Sequence, residues 1–342
     1  REQYGDNYVI PRDDKCYTRI ETYHIVGILS RFSRAWANYF TLQHAVKGVD
    51  LILDVGGFQF GDQWGHIKDG IDSWKEYLKR AHKYGTKVVF MPQAFGPFEK
   101  EGSKKMLKVL NDFSDLLIAR DDVSYNYLLK EGASIDKVLL YPDFTSSVEP
   151  QESDYSKKSN GKVCIIPNSK IVQMGTMEKK EYINAIVNII DLVYKKGKEV
   201  ILLNHEGEGD YKLCNEIAGQ TTHHVEVISG LNAVKTKGVI STSYMIISSR
   251  FHGVANSLSC GVPCLATSWS HKYKKLLEEY GQDDCLLDLI DQNSVIEKIN
   301  KMLISENNKE VRFTLGKKNV EVRSKNREMW DEIWNRYSKS SL

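Results

Sequence analysis

The sequence predicts an α/β protein with two Rossmann-like domains that face each other across a cleft. Apolar runs of strand length alternate with segments whose apolar residues recur at helical spacing, which is the pattern of parallel sheets with helices on their faces. This alternation stops between residues 146 and 161, which are rich in polar residues, Gly and Pro and are predicted to form the interdomain linker, and then starts again. The chain of 342 residues is also too long for one ordinary core and suits two domains.

The first domain is predicted to span residues 1–148. Residues 1–48 show no clear pattern, and their role stays open. After them, strands are expected at 49–55, 87–91, 116–119 and 138–140, with helices at 70–84, 104–113 and 123–130. The helical spacing of Ile71, Trp74 and Leu78 gives one apolar face, as expected for a helix that covers a sheet.

The second domain is predicted to span residues 160–320 and repeats the same alternation of strands and helices. Strands are expected at 162–166, 199–203, 224–228, 245–247 and 264–266, with helices at 179–195, 210–218, 273–281, 293–304 and 309–338. Residues 321–342 form a terminal helix that is predicted to pack back across the domains. Trp330 and Trp334 lie one turn apart on it and are expected to face a domain rather than a ligand.

Composition excludes several classes of protein. The net charge of +2 does not indicate a nucleic-acid surface, and 41% hydrophobic with 27% charged residues is typical of a globular chain. No apolar run approaches the roughly 18 residues of a transmembrane helix, and no signal peptide is visible. The 6 cysteines are scattered and are expected to be reduced core residues. The cytoplasm is the expected compartment.

Residues 249–272 carry the strongest functional signal. They are predicted to run from a strand end through a loop and a helix rich in small residues to a turn and a second strand. Arg250 and His252 follow the first strand, and His271 and Lys272 follow the second. Ligands of open α/β sheets bind beyond the carboxyl ends of the strands, so these cationic and imidazole groups predict an anion site.

Arg250 and His252 alternate along a segment that is expected to be extended, so both side chains can face one side while Phe251 turns into the core. The alternative is a salt-bridged arginine beside a buried, satisfied histidine. The anion site is favoured because Arg120, His205 and Lys272 also follow predicted strands. Arginine presents a planar fork that suits carboxylate or phosphate, and histidine can exchange a proton near neutral pH.

Other candidates have a structural alternative. Gly56 and Gly57 follow a buried strand and allow a backbone to approach a ligand, but their spacing fits no phosphate-binding motif, and an ordinary strand-to-helix turn is the alternative. Asp143 stands at a strand end but is also typical of a turn or cap. Ser249 lies near His252 without the G-x-S-x-G pattern of a nucleophile elbow.

His205 is followed by Glu206, Glu208 and Asp210, which together resemble a metal-binding cluster. Their spacing matches no known set of metal ligands, so a solvated loop is expected here and no metal is predicted.

Five motifs in order along the chain resemble the polysaccharide pyruvyl transferase family. They are Asp54-Val55-Gly56-Gly57 with Gly61-Asp62, Pro92-Gln93-Ala94-Phe95-Gly96-Pro97, Ala119-Arg120-Asp121 with Ser124, Pro142-Asp143, and Ser249-Arg250-Phe251-His252 through Gly261-Val262-Pro263 to Lys272. Each motif is modest alone, and their shared order over about residues 50–275 is fairly specific. The first fifty residues match poorly.

The resemblance implies a GT-B-like pair of Rossmann domains that transfers pyruvate from phosphoenolpyruvate to two hydroxyls of one sugar, which forms a cyclic ketal. The reaction that the resemblance implies is expected to need no cofactor or metal, because fixed cations balance the donor's charge. His252 would protonate the enol carbon. Arg250 and Arg120 would clamp the donor's carboxylate and phosphate, and Lys272 would neutralise the leaving phosphate. Asp143, or Asp62, would accept a proton from the attacking hydroxyl.

The resemblance also divides the site between the two domains. The second domain is expected on the donor side and the first on the acceptor side. Further donor-binding candidates are Ser249, Gly56, Gly57, Asn168 and His205, and the acceptor-binding candidates are Asp62, Gln93 and Trp64. The acceptor is expected to be a sugar or a lipid-linked oligosaccharide, and the latter would bring the enzyme to the inner face of the membrane without a spanning helix. The acceptor sugar and the oligomeric state stay open.

Two other functions fit the same fold. One is a GT-B glycosyltransferase that uses a nucleotide sugar, since it would share the phosphate site at a helix N-terminus. The other is a non-catalytic carbohydrate-binding relative. The presence of Arg120, Arg250, His252 and Lys272 argues against a loss of the chemistry.

Overall fold

The computed structural model describes residues 48–62, 68–267 and 271–337. The chain divides into two compact units, the first made of Arg1–Phe144 with Lys325–Leu342 and the second of Thr145–Ser324. Each unit is built around its own parallel sheet with helices on its faces. The fold class predicted from the sequence, two Rossmann-like α/β domains, is therefore confirmed.

The first unit contains a parallel sheet in the order β1-β2-β3-β4. Its elements are β1 (Leu51–Asp54), α1 (Lys68–Lys83), β2 (Lys87–Gln93), α2 (Glu101–Phe113), β3 (Leu116–Ala119), α3 (Asp122–Lys130) and β4 (Val138–Leu140). Ala119 is in register with Gln93 on one side and Leu140 on the other, so the carboxyl ends of neighbouring strands lie side by side.

Both faces of this first sheet are covered, as alternation along the strands requires. One face carries Val88 and Phe90 into a core with the helices that follow β1 and β2. The other face carries Val89 and Met91 into a second cluster, which the terminal helix completes with Met329 and Ile333, among other residues.

The second unit contains a parallel sheet in the order β7-β6-β5-β8-β9. Its strands are β5 (Val163–Ile166), β6 (Val200–Leu203), β7 (Glu226–Ile228), β8 (Met245–Ser248) and β9 (Cys264–Ala266). Its helices are α4 (Asp154–Ser159), α5 (Ser169–Gln173), α6 (Lys179–Lys195), α7 (Gly207–Gln220), α8 (Ala233–Thr242), α9 (Phe251–Ser259), α10 (His271–Glu279) and α11 (Gln292–Leu303), followed by α12 (Ser305–Tyr337), which runs on into the first unit.

Helix α9 packs tightly against the sheet of the second unit because of Gly253. A Cβ on Gly253 would lie 2.3 Å from Ser248 Oγ and 3.0 Å from Ile166 Cδ1. Only a residue without a side chain allows this approach. The helix ends at Ser259, and Gly261, with a φ of +69°, starts the turn into β9. The run of small residues in the sequence predicted this packing.

The stretch predicted as a linker, residues 146–161, is more ordered than its composition indicated. It contains α4, which Ser153 and Ser156 cap reciprocally and which packs on α8. The Ser159 hydroxyl donates to the Val239 carbonyl at 3.1 Å. Prediction failed here because a short helix held by serine caps shows no apolar periodicity.

Helix α8 was also missed. Its buried apolar residues are interrupted by Thr236, Lys237 and Gly238, which are buried as well. Gly238 is also in close contact with the Gln151 backbone. The Lys237 ammonium donates hydrogen bonds to the carbonyls of Thr145 and Ser146, at 3.0 and 3.4 Å.

Within the described part of the chain, no helix combines the length and apolar character that a bilayer crossing requires.

Candidate active site

In the first unit, Asp54 ends β1 and faces the loop that follows it. Its Oδ1 atom accepts hydrogen bonds from the Gly56 amide at 3.1 Å and from Gln59 Nε2 at 2.5 Å. Burial raises the pKa of Asp54, and the Gly56 amide, the nearby Gln93 amide and the Gln59 side chain oppose that rise. A Cβ on Gly56 would lie 2.2 Å from Gln59 Nε2, so any larger residue here would displace the Gln59 side chain from Asp54. The resemblance motif included Asp54 without giving it a role.

Gln93, at the end of β2, is completely buried. Neither polar atom of its amide has a hydrogen-bond partner of normal geometry among the described residues, although the amide lies close enough to Asp54 to lower the pKa of that carboxyl. The expected role in acceptor binding has no support in this position, because the side chain is sealed from solvent.

Arg120 follows β3, and Asp143 follows β4. Arg120 Nη1 lies 3.8 Å from Asp143 Oδ2, with the two side chains 7% and 14% exposed. A Cβ on Gly57 would come within 4.0 Å of the same Nη1, so Gly57 borders the guanidinium. The structure thus brings these three predicted residues together at one edge of the sheet.

Asp62 holds the start of α2. Its carboxylate accepts hydrogen bonds from the backbone amides of Glu99 and Lys100, at 2.9 and 3.2 Å, and from the Ser103 hydroxyl. Burial acts to raise the pKa of Asp62, but these hydrogen bonds and the Lys100 charge lower it overall. The carboxylate that was expected to bind the acceptor is therefore occupied by fold contacts. Trp64 lies outside the described residues.

In the second unit, Ser249 follows β8 and is buried. Its hydroxyl bonds to the Tyr182 hydroxyl at 2.7 Å and to the Thr267 hydroxyl, and its carbonyl accepts from Asn168 Nδ2 at 2.9 Å and Tyr273 Oη at 3.0 Å. Asn168 also caps α5, since its Oδ1 accepts from the Lys170 amide. Ser249 and Asn168 therefore position the loop that carries Arg250, and their polar groups point at the protein.

Arg250 is the N-cap residue of α9 and is held by two carboxylates. Its Nε donates to Asp210 Oδ2 at 2.8 Å, its Nη2 donates to Asp210 Oδ1 at 2.7 Å, and its Nη1 donates to Glu206 Oε2. Burial alone would lower the pKa of Arg250, but the two carboxylates raise it. The salt-bridged arginine that the sequence left as an alternative is present in the structure.

Asp210 is a site residue that sequence reasoning missed. Its side chain is fully buried, and its Oδ1 also accepts from the Ser169 amide at 2.9 Å and the Ser169 hydroxyl at 2.8 Å. The expectation of a solvated loop here is wrong, because α7 already begins at Gly207. The spacing of Asp210 with Leu213 and Ile217, the buried face of α7, was the signal that placed this carboxylate inside.

His205 lies in the short connection between β6 and α7, and its Nε2 atom is buried without a hydrogen-bond partner among the described residues. Burial, followed by the nearby His252 and Arg250, lowers the pKa of His205 to about 4. The imidazole is therefore neutral at neutral pH, and it lies within electrostatic reach of both predicted site residues.

His252 is exposed, and Phe251 is buried against it with ring centroids 5.6 Å apart. The prediction that Arg250 and His252 alternate along one extended segment is wrong, because α9 begins at Phe251. His252 instead stands in the first turn of that helix. Lys272 lies in α10, and its side chain is outside the described part of the structure.

The second unit thus places an exposed imidazole, a neutral imidazole and an arginine beyond the carboxyl ends of β6 and β8. Such a set can donate hydrogen bonds to an anion and move a proton. Among the described residues, no group of three or more His, Cys, Asp and Glu side chains is arranged to hold a metal ion.

Comparison with known sequences matches the chain to one family model and to curated relatives. The family model described as polysaccharide pyruvyl transferase matches residues 1–271. The amylovoran biosynthesis protein AmsJ of Erwinia amylovora is 22% identical in an alignment of 285 positions that covers 75% of this chain and 66% of that relative. The matched part is thus slightly less than two thirds of the relative's length.

Comparison with solved structures shows the same fold. A putative UDP-N-acetylglucosamine 2-epimerase from Listeria monocytogenes aligns with a TM-score of 0.59 at 11% identity, over 89% of this chain and 80% of that one. Anabaena Alr3699/HepE in complex with UDP aligns with a TM-score of 0.55 at 13% identity, over 90% of this chain and 82% of that one. At such identities the likeness establishes the GT-B-like fold class and nothing about the ligand.

Proposed function

Because the chain belongs to the polysaccharide pyruvyl transferase family, we propose that it moves pyruvate from phosphoenolpyruvate onto two hydroxyls of one sugar in a polysaccharide or its lipid-linked precursor. The observation that carries the proposal is the pair Arg250 and His252 at the head of α9, inside the region that the family model matches. An anion-binding group and an exposed imidazole are what this donor requires.

The reaction balances without a cofactor. A proton added to the terminal enol carbon makes that carbon a methyl group and leaves an oxocarbenium-like centre at the next carbon. One sugar hydroxyl attacks that centre, the C–O bond to phosphate breaks, and the second hydroxyl closes the ketal. Of the two hydroxyl protons, one replaces the proton given to the enol carbon and the other leaves with phosphate.

Residue roles follow from this chemistry. His252 is the proposed acid, since it is exposed at the N-terminal turn of α9. Arg250, Arg120 and Lys272 are the proposed partners of the donor's carboxylate and phosphate. Asp143 is the proposed base for the attacking hydroxyl, and its Oδ2 atom lies 3.8 Å from Arg120 Nη1. Asp62 is not given this role, because its carboxylate already accepts three hydrogen bonds.

The function is tested by incubating the protein with phosphoenolpyruvate and a panel of free and lipid-linked glycosides. The expected result is release of phosphate together with a product that is heavier than its acceptor by pyruvic acid less water. Parallel reactions with UDP-sugars serve as the control. Consumption of a UDP-sugar without phosphoenolpyruvate would indicate a glycosyltransferase instead, and sugar binding without consumption of either donor would indicate a non-catalytic relative.

His252 gives the first residue-level prediction. His252→Gln and His252→Ala are expected to lower kcat by about 10²- to 10⁴-fold, the range that general acid catalysis contributes. The Kd for phosphoenolpyruvate, measured by calorimetry, should change little because the cations are retained. His224→Gln, which removes another exposed imidazole of the same unit, is the matched control and should keep full activity. A fully active His252→Gln enzyme would refute the acid role.

A further inference from the structure

The two carboxylates that hold Arg250 are not equivalent. Asp210 is fully buried and engages two guanidinium nitrogens, at 2.8 and 2.7 Å. The Glu206 side chain is 68% exposed and engages only Nη1. Breaking a buried pair leaves a charge without compensation, whereas an exposed pair separates at little cost. The structure therefore contains one fixed contact and one exchangeable contact on the same guanidinium.

The fixed contact is anchored from several sides. Asp210 Oδ1 also accepts both the amide and the hydroxyl of Ser169, so the carboxylate cannot turn without losing them. Gly209 allows this approach, since a Cβ there would come within 2.9 Å of Ser169 Oγ. Asp210 thus sets the orientation of the Arg250 fork and leaves Nη1 directed at Glu206.

The exchangeable contact occupies the position that an anion would take. With both carboxylates in place, the three side chains carry one net negative charge, which would repel a phosphate or carboxylate. When Glu206 leaves, the charge of Arg250 is balanced by Asp210 alone, and Nη1 can donate to an incoming oxygen. Glu206 makes no side-chain capping bond to α7, so its departure does not break the start of that helix.

We propose that Glu206 is a place-holder that occupies the anion-binding side of Arg250 until the donor's phosphate or carboxylate displaces it, while Asp210 stays as the positioning residue. The identity of the anion rests on the proposed function, but the exchange itself does not. Glu206 thereby weakens donor binding and sets the donor concentration at which the site fills.

The test compares the wild-type chain with Glu206→Gln, which keeps the shape and removes the charge. The matched control is Glu208→Gln. Glu208 lies in the first turn of the same helix, is 71% exposed and pairs with Lys212 at 3.9 Å. Binding of phosphoenolpyruvate and, separately, of inorganic phosphate is measured by calorimetry at low ionic strength. Melting temperatures establish that the three proteins are equally folded.

Glu206→Gln is expected to lower the Kd of both anions about two- to fivefold, the scale of an exposed ion pair, and Glu208→Gln should match the wild type. The gain should shrink as salt is added, since exposed charges are screened. An equal or higher Kd in Glu206→Gln, or no effect on either anion, overturns the inference. If phosphate shows the gain while phosphoenolpyruvate does not bind at all, the exchange is supported and the proposed donor is wrong.

Discussion

Burial has opposite outcomes for Arg250 and His205, which follow β8 and β6, the two strands that flank β5 in the second unit. Arg250 keeps its charge because Asp210 meets its guanidinium bidentately. The Nε2 atom of His205 is enclosed without a partner among the described residues, and the positive charges nearby add to the effect of burial. The site therefore contains one charged group that donates hydrogen bonds, the Arg250 guanidinium, and one uncharged imidazole, that of His205.

The low pKa of His205 predicts a pH-dependent stability. In the unfolded chain this histidine binds a proton below about pH 6.5, whereas the lowered pKa of about 4 keeps it neutral in the folded protein until a lower pH. Between these values the unfolded state holds more protons, so stability is present above pH 6.5 and is lost as the pH falls toward 4. Between pH 7.5 and 4.5 the loss is expected to be about 2 to 3 kcal/mol.

Urea unfolding of the wild type and of His205→Gln at these two pH values measures this loss. The variant cannot titrate at this position, so the difference in the free energy of unfolding between the two proteins should shrink by the stated amount on acidification. His224→Gln removes an exposed imidazole and is the control. A constant difference across the pH range would contradict the assignment of a neutral, buried His205.

At the same scale, the sequence predicted which side chains stand at the strand ends but not how they are paired. Arg250 and His252 follow an apolar run directly, so their position could be predicted from local pattern. The partner of Arg250 is 40 residues away in the chain, in a stretch whose charges resembled a solvated loop. Asp210 is buried against the guanidinium only because the fold places the segments after β6 and β8 at the same edge of the sheet, on either side of β5.

Among the elements, α9 lies close against its sheet, because Gly253 brings its first turn onto Ser248 and Ile166. That turn carries His252, so the same contact that packs the helix also positions the proposed acid. The packing of α9 and the position of the proposed acid are thus coupled within one element.

Gly253→Ala tests this coupling. The added methyl group would lie 2.3 Å from Ser248 Oγ, so α9 must shift away from the sheet. The free energy of unfolding should fall by about 1 to 3 kcal/mol, as for other overpacked cores, and kcat should fall with it. Gly316→Ala is the control, because nothing lies within 4 Å of a Cβ at that position of α12. There alanine should stabilise the helix by up to about 1 kcal/mol.

Element prediction succeeded where periodicity was strong and failed where polar residues are buried. Helix α6 was predicted with its observed bounds, since its isoleucines recur on one face. Helix α8 was missed because a lysine in the sequence indicates a surface position, whereas Lys237 is only 3% exposed. Its ammonium group donates hydrogen bonds to two backbone carbonyls in the interior. A buried lysine of this kind cannot be inferred without knowing which carbonyls it meets.

Over the whole molecule, the terminal helix α12 serves two cores. Leu315 and Val322 are buried in the core of the second unit, whereas Met329 and Ile333 complete the cluster on one face of the first sheet. The sequence predicted a terminal helix that packs back on the domains. It could not divide the helix between the cores, because each half has a similar spacing of apolar residues.

This division predicts that a change in the last part of α12 weakens the first unit selectively. Ile333→Ala removes a fully buried side chain from the cluster that contains Val89 and Ile118. The loss should be about 2 to 5 kcal/mol, since the transfer and cavity contributions add. Hydrogen exchange followed by mass spectrometry should show faster exchange in β2 and β3, while β5 and β8 keep their protection.

Val320→Ala is the matched control, because that side chain lies on the same helix and is 67% exposed. It should change stability by less than about 0.5 kcal/mol. If Ile333→Ala instead accelerated exchange equally in both sheets, the two units would unfold as one. In that case α12 would still pack against two separate cores, but the stabilities of the two units would not be independent. The helix would transmit the loss of stability from the first unit to the second.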